Sequence, residues 1–295
     1  MLNTLLLCVA PLLGGPTVTW NAPDMYMEGV AFQVSVEIEI GDKNADVDAW
    51  LMNAGAFTLN GKPVTKRSSD KLSLAAGTKL SLSFDLGPDL ANAKGFNGKA
   101  FKLAFDDKFS KSEPVKVAVA IAAPKGIDYM EIPLEDLSKY QVIMLTTQGT
   151  MHMEFWPDAA PNHVRNFLDL CDTGFYTNVI FHRVKPGFMI QGGDPTGTGS
   201  GPGRRNIDAE FSKDPKWAHK RGVLSMARTN DPNSASSQFF VMHADSAFLN
   251  GQYSAFGKLV SGLDTLDRIA GTKLRGEAPV EKQVILSTTV ILTPQ

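Results

Sequence analysis

"FHRVKPGFMIQGGDP", residues Phe181 to Pro195, sets His182 and Arg183 ahead of Phe188, Met189 and Ile190 in a glycine-rich run. It contains no Ser or Cys, so whatever chemistry it performs has to come from a charge held against an apolar surface. The segment before it, "PDAAPNHVRNFLDLCDTG", changes to a helical period: Val164, Phe167, Leu168 and Cys171 fall at i, i+3, i+4 and i+7 on one face. Asp158 is the expected N-cap, Pro161 belongs in the first turn, and Gly174 can end the helix in a left-handed conformation.

Around this helix the chain reads as β. "QVIMLTTQGTMHMEFW" is expected to form two strands joined at Gln148-Gly149, and "QVILSTTVIL" a last strand. A second short helix is expected at "GLDTLDRIAG", with Leu263, Leu266 and Ile269 inward and Gly271 as its stop. Many strands with two short helices imply a closed barrel capped at its ends.

The first half carries a different pattern. In "AFQVSVEIEI", Phe32, Val34, Val36, Ile38 and Ile40 alternate with Gln33, Ser35, Glu37 and Glu39, the signature of a half-buried strand. Leu80, Leu82, Phe84 and Leu86 share one face of another run, and Val115, Val117, Val119 and Ile121 of a third, with turn signals such as "LNGKP" and "FNGKA" between. Short strands without a helical period imply an immunoglobulin-like β-sandwich over residues 17–123, a scaffold that by itself names no function. Residues 124–139 mix Pro, Gly and charges and read as a linker to a second domain, 140–295.

Composition narrows the function classes. A chain of 295 residues with 43% hydrophobic content is long enough for two cores. With 29 Lys+Arg against 31 Asp+Glu, it has no net field to draw a nucleic-acid backbone or an anionic membrane. His152, His163, His182, His219 and His243 lack ligand spacing, so no metal is expected, and "GGDPTGTGSGPG" lacks the Lys-Ser/Thr end of a phosphate loop and reads as a flexible surface loop. Cys171 reads as a small core hydrophobe. The apolar run of residues 1–16 is too short to span a bilayer and has no positive leader. It leaves three readings: an export signal, favoured and placing the protein in the periplasm or outside the cell, a lipid-anchored Cys8, or a plain apolar terminus.

Three long blocks carry a resemblance: "PDAAPNHVRNFLDLCDTGFYTNVIFHRV", "FHRVKPGFMIQGGDPTGTGSGPG" and "GVLSMARTNDPNSASSQFFVMHADSAFLNGQYSAFGKLVSGLDTLDRIA". In this order they resemble the cyclophilin family of peptidyl-prolyl cis–trans isomerases, over about residues 141–292. The resemblance implies an eight-stranded antiparallel barrel capped by two helices, with a peptide groove on one outer face. It implies Arg183 as the catalytic arginine and His182 as its neighbour in the groove. Phe188, Met189, Phe240 and Leu249 would form a proline pocket, and Gln191 with the Ala227-Arg228 backbone would bind the peptide main chain. Proline-containing polypeptides are the implied partners, a monomer the expected state, and no cofactor is implied.

Arg228, Phe248 and Tyr253 stand where the cyclosporin-binding form of the family has Asn, Trp and His, and resemble bacterial members. The loss of the indole donor at Phe248, which like Tyr253 is placed in the groove, puts cyclosporin binding in doubt. Two rival readings remain: a non-catalytic module that captures proline-containing segments, with the sandwich docking to a partner, and a sandwich that itself recruits unfolded clients.

Overall fold

The computed structural model describes residues 16–22, 25–28, 32–93, 96, 99–105 and 114–293. The apolar leader apart from Pro16, Cys8, and Asn97 and Gly98 of the expected "FNGKA" turn lie outside them. The chain divides into two compact units, Met1–Ala120 and Ile121–Thr293.

In the first unit one antiparallel sheet runs in the order Thr17–Asn21, Gln33–Glu39, Lys79–Asp85. A second has the order Met25–Tyr26, Val115–Val119, Phe101–Phe105, Phe57–Leu59, Lys62–Pro63, and Ala45–Asp48 pairs with Lys71–Leu74 in a third. The alternation in "AFQVSVEIEI" has its expected cause: Phe32, Val34, Val36, Ile38 and Ile40 are all buried, while Glu37 and Glu39 are exposed. These side chains meet Phe57, Leu59, Phe101, Leu103, Phe105 and Val117 of the five-stranded sheet in a single core. Trp20 stacks edge-on against Phe57 at 5.6 Å, and Phe57 against Phe105 at 5.3 Å.

Two expectations fail in this half. A helix forms at Gly87–Asn92, where Pro88 and Asp89 start a stretch too short to show a period. Ile121 does not share the strand of Val115, Val117 and Val119: Ala120 ends that strand, and Ile121, 70% exposed, opens the second unit by pairing with Leu292.

The second unit is built on a nine-stranded sheet. Its order is Ile121–Ala122, Ile285–Leu292, Tyr140–Thr146, Gly149–Phe155, Ala255–Ser261, Val223–Met226, Phe239–Met242, Met189–Gly192, Arg183–Lys185, with every pairing antiparallel. The paired strands form an open order. Isolated bridges from Ile180 to Asp194 and to Val284, and the hydrogen bonds Asn178 N to Ile285 O and Ile285 N to Val179 O, each 2.8 Å, fasten the segment before Arg183 to the start of the strand Ile285–Leu292. The hairpin turn is Thr147-Gln148, one residue earlier than expected, because Thr146 pairs with Gly149.

Both expected helices form, at Pro161–Asp172 and Leu263–Ala270. Val164, Phe167, Leu168 and Cys171 are buried together, and burial pushes the Cys171 thiol up. At the start of the second helix, Gly262 takes φ 91° and lies so close to Thr150 that a Cβ would run into its carbonyl oxygen. Residues 124–139, expected to be a linker, pack on this unit: Tyr129 and Leu137 are buried, Leu134–Leu137 is helical, and Arg165 Nη1 donates to the carbonyls of Tyr129 and Met130 at 2.7 and 2.8 Å. Their apolar residues are irregularly spaced, so no period betrayed the burial.

The N-terminus of helix Pro161–Asp172 is capped from afar. Ala160 occupies the N-cap, not Asp158, and offers no side-chain oxygen. Glu210 supplies it, accepting from the amides of Asn162 and His163, each at 3.1 Å, and pairing with His163 Nδ1 at 2.6 Å. Burial opposes the charge on Glu210, but these hydrogen bonds outweigh it and hold its carboxyl below the usual range. Replacing Glu210 with Ala is expected to cost about 1–2 kcal/mol in urea unfolding. Because folding depresses this pKa, the stabilisation is fully present above the ordinary carboxylate range and is lost as pH falls through the folded value. Glu210→Gln should therefore show a shallower loss of stability with acid than the parent, and an identical acid limb would contradict the assignment.

Candidate active site

Strands Arg183–Lys185, Met189–Gly192, Val223–Met226 and Phe239–Met242 alternate between two apolar environments. Val184, Ile190, Leu224, Met226, Phe239 and Val241 point into the main core, whereas Met189, Val223, Phe240 and Met242 belong to a second cluster with Leu249 and Ala255. Phe188, Ala227, Tyr253 and Trp156 pack against this outer cluster. A cavity of ≈ 860 Å³ opens above it.

All eleven residues singled out in the sequence line this cavity: His182, Arg183, Phe188, Met189, Gln191, Ala227, Arg228, Phe240, Phe248, Leu249 and Tyr253. The hairpin pairs Arg183 with Gln191, which places both on the outer face. Phe188 follows a turn in which Gly187 has φ 76°, and it stacks on Phe248 at 5.7 Å. Phe248 is 71% exposed, so this aromatic pair forms the rim and not the floor. The floor is Met189, Phe240 and Leu249, all buried. Phe240 is met edge-on by Tyr253 at 5.7 Å and backed by the buried ring of His219 at 6.3 Å. His219 Nε2 and Nδ1 lie 3.0 Å from Ser225 Oγ and Asn250 Oδ1, and burial lowers its pKa, which favours the neutral ring.

The polar side of the groove is a connected series. Arg183 Nε donates to Glu277 Oε2 at 2.5 Å and Nη1 to Gln191 Oε1 at 3.3 Å, Gln191 Nε2 to Gln238 Oε1 at 3.1 Å, and Gln238 Nε2 to Gly199 O at 3.0 Å. Arg228 is held differently. Its Nε and Nη2 donate to Gln252 O at 3.2 and 3.0 Å, and its guanidinium lies 4.6 Å from the Tyr253 ring centre and 5.4 Å from that of Phe211. Burial lowers the pKa of His182, Arg183 pushes the same way and Asp194 opposes, so the imidazole favours its neutral form.

Glu277, Thr198, Gly199, Gln252 and Ala278 line the cavity without having been singled out, and Gln238 stands behind it, bonded to Gln191 and Gly199. Glu277 lies 94 positions from Arg183, and no local pattern marks it. Gln238 could have been suspected from its place beside Phe239 and Phe240 in a strand-like run. The glycine-rich segment also departs from the expected flexible loop. It folds round buried Asp194, whose carboxylate accepts from the amides of Thr196, Gly199 and Gly201 at 2.7, 2.6 and 3.0 Å and from Thr196 Oγ1 at 2.8 Å. Burial disfavours this charge, yet the donors from Gly201, Thr196 and Gly199 outweigh it and hold the carboxyl far below its usual range. Among the described residues no group of three or more His, Cys, Asp or Glu could hold a metal ion.

The site is thus an outer apolar groove on an antiparallel sheet, walled by a tethered arginine and the amide side chain of Gln191. The family model described as "Cyclophilin type peptidyl-prolyl cis-trans isomerase/CLD" matches residues 141–290, and the chain belongs to that family. A Brucella abortus protein named "Probable peptidyl-prolyl cis-trans isomerase" is 42% identical over 163 residues, covering 50% of this chain and 81% of the relative. "Peptidyl-prolyl cis-trans isomerase-like 2" of Cryptococcus neoformans is also 42% identical over 163 residues, but the matched part is 28% of that protein's length and 53% of this chain. A crystal structure of a Cryptosporidium parvum cyclophilin type peptidyl-prolyl cis-trans isomerase is 36% identical, with a TM-score of 0.50, covering 52% of this chain and 99% of that one.

Asp194→Ala should release the Gly199 wall of the groove. The expected result is amide hydrogen exchange at Gly199 and Gly201 faster by about tenfold or more, since charge-assisted hydrogen bonds are lost. Unchanged exchange would remove Asp194 as the organiser of this segment.

Proposed function

We propose that the second unit accelerates cis–trans rotation about X-Pro bonds in polypeptide clients. One observation carries the reading: Arg183 shares an open cleft with Phe188, Met189 and Phe240. Rotation about a prolyl amide is opposed by resonance, with a barrier of roughly 18–20 kcal/mol. At the twisted midpoint the proline nitrogen recovers a localised lone pair and accepts a hydrogen bond, which the planar amide nitrogen does not. A guanidinium aimed there binds the transition state better than the ground state.

The buried floor of Met189, Phe240 and Leu249 suits an apolar ring, and a water-poor wall strengthens the hydrogen bond when it forms. Gln191 and the Ala227-Arg228 backbone flank this floor and take the peptide main chain. His182 favours the neutral form and stays a groove residue, not an acid. Rotation transfers no electron, proton or group, so no cofactor enters the reaction. Phe248 stacks without offering an N–H donor, and cyclosporin is accordingly expected to bind weakly.

The finer architecture belongs to the same reading. The eight strands of the sheet from Ile285–Leu292 to Arg183–Lys185 close into the expected barrel, with Ile121–Ala122 an added edge, a reading supported by the bridges at Ile180, and the first unit is an immunoglobulin-like sandwich, supported by the core that its two main sheets share. Action outside the cytoplasm is the reading that the apolar run of residues 1–16 supports.

The test is isomerisation of an X-Pro peptide by the full chain. Arg183→Ala is expected to lower kcat/KM by about 100-fold, and Arg183→Lys to recover little, because a mobile point charge replaces a fixed fork. Equal rates for parent and Arg183→Ala would remove Arg183 from the mechanism.

A further inference from the structure

Glu277 sits in the turn of a small hairpin, Leu274–Arg275 with Ala278–Pro279, in which Leu274 pairs with Pro279 and Arg275 with Ala278. Gly276 at φ 65° makes the turn, and Val280 N donates to Lys273 O at 2.8 Å to close its base. The hairpin is fastened to the groove by main chain: Val184 N, next to Arg183, donates to the carbonyl of Glu277 itself at 2.7 Å. The position of the Glu277 backbone is thereby fixed relative to the strand that carries the arginine.

From that anchor the carboxylate divides between two cations of one strand. Oε2 accepts from Arg183 Nε at 2.5 Å, and Oε1 lies 3.6 Å from Lys185 Nζ. Among the described residues these are the charged groups that face it. Arg183 Nη1 is meanwhile held by Gln191, which is itself held by Gln238. A planar guanidinium gripped at Nε from one element and at Nη1 from another cannot turn about its last bonds. Among the described residues its Nη2 has no hydrogen-bond partner, and the residue lines the groove.

We propose that Glu277 is the positioning residue for Arg183, setting the angle at which the guanidinium meets the twisted amide. The proposal rests on the isomerase reading of the groove. Two effects compete in such a pair. The carboxylate drains some positive charge from the arginine, but both partners are about two-fifths exposed, so solvent screens that loss. Hydrogen-bond strength falls steeply with misalignment, and the developing lone pair has a single direction, so orientation wins.

The pair therefore acts in the transition state more than in binding, since the apolar floor of Met189, Phe240 and Leu249 is untouched by it. In the full chain, Glu277→Ala is expected to lower kcat about fivefold with KM within about twofold of the parent. Glu277→Gln keeps an oxygen acceptor and should recover most of the loss. Raising NaCl to about 1 M should bring the parent's kcat toward that of Glu277→Ala while leaving the variant flat. A kcat unchanged or raised in Glu277→Ala would overturn the proposal, the raised value marking Glu277 as a restraint.

A second measurement separates this from the fate of the isomerase reading. The Arg183 Nε–Hε cross-peak in an NMR spectrum of the full chain, identified by its absence in Arg183→Lys, is expected near neutral pH and should broaden away in Glu277→Ala. If the parent turns over no peptide yet this peak is lost in the variant, the isomerase reading fails and the tether stands. If the peak persists unchanged in Glu277→Ala, the tether fails whatever the activity.

Discussion

The groove exists because a strand has two faces and, in this sheet, both are apolar. Strands Met189–Gly192, Val223–Met226 and Phe239–Met242 send Ile190, Leu224, Phe239 and Val241 inward. The intervening positions Met189, Val223, Phe240 and Met242 need cover of their own, and the short helix Ala247–Leu249, with Phe188 and Tyr253, covers them in part. The uncovered remainder is the cleft. A polar outer face, the usual solution for an antiparallel sheet, would have left no recess for a ring.

Beside that recess the chemistry is a matter of which donors are already taken. Arg183 gives one N–H to Glu277 and another to Gln191, and Arg228 gives its own to the carbonyls of Thr229 and Gln252. Arg228 is consumed by structure, lying against Tyr253 and Phe211, whereas Arg183 Nη2 has no hydrogen-bond partner among the described residues. The two arginines line one cleft and differ in availability, not in charge.

Irregular segments around the cleft are organised by carboxylates with little access to water. Asp194 gathers the amides of Thr196, Gly199 and Gly201, and Glu210 gathers those of Asn162 and His163. Each does for a loop or a helix end what a ladder does for a strand, satisfying main-chain donors that would otherwise be buried unpaired. Their depressed pKa values are the thermodynamic record of that work.

Period was legible along the chain, and so were the features it governs. The alternation in "AFQVSVEIEI" and the helical face of Val164, Phe167, Leu168 and Cys171 appear where local pattern places them, and the residues from His182 to Gln191 that the resemblance, not a period, put in the groove line one cavity. Ile121 was misassigned because alternation runs on across the break between units, and residues 124–139 because scattered apolar side chains carry no period. The sequence by itself determined which residues alternate and which turn, since these depend on near neighbours, while the groove residues were legible only through the resemblance of whole motifs. Only the tertiary structure decided that Glu277 meets Arg183, that Glu210 caps a distant helix and that Asp194 folds its loop, because each carboxylate is chosen by geometry in space and leaves no periodic trace in the chain.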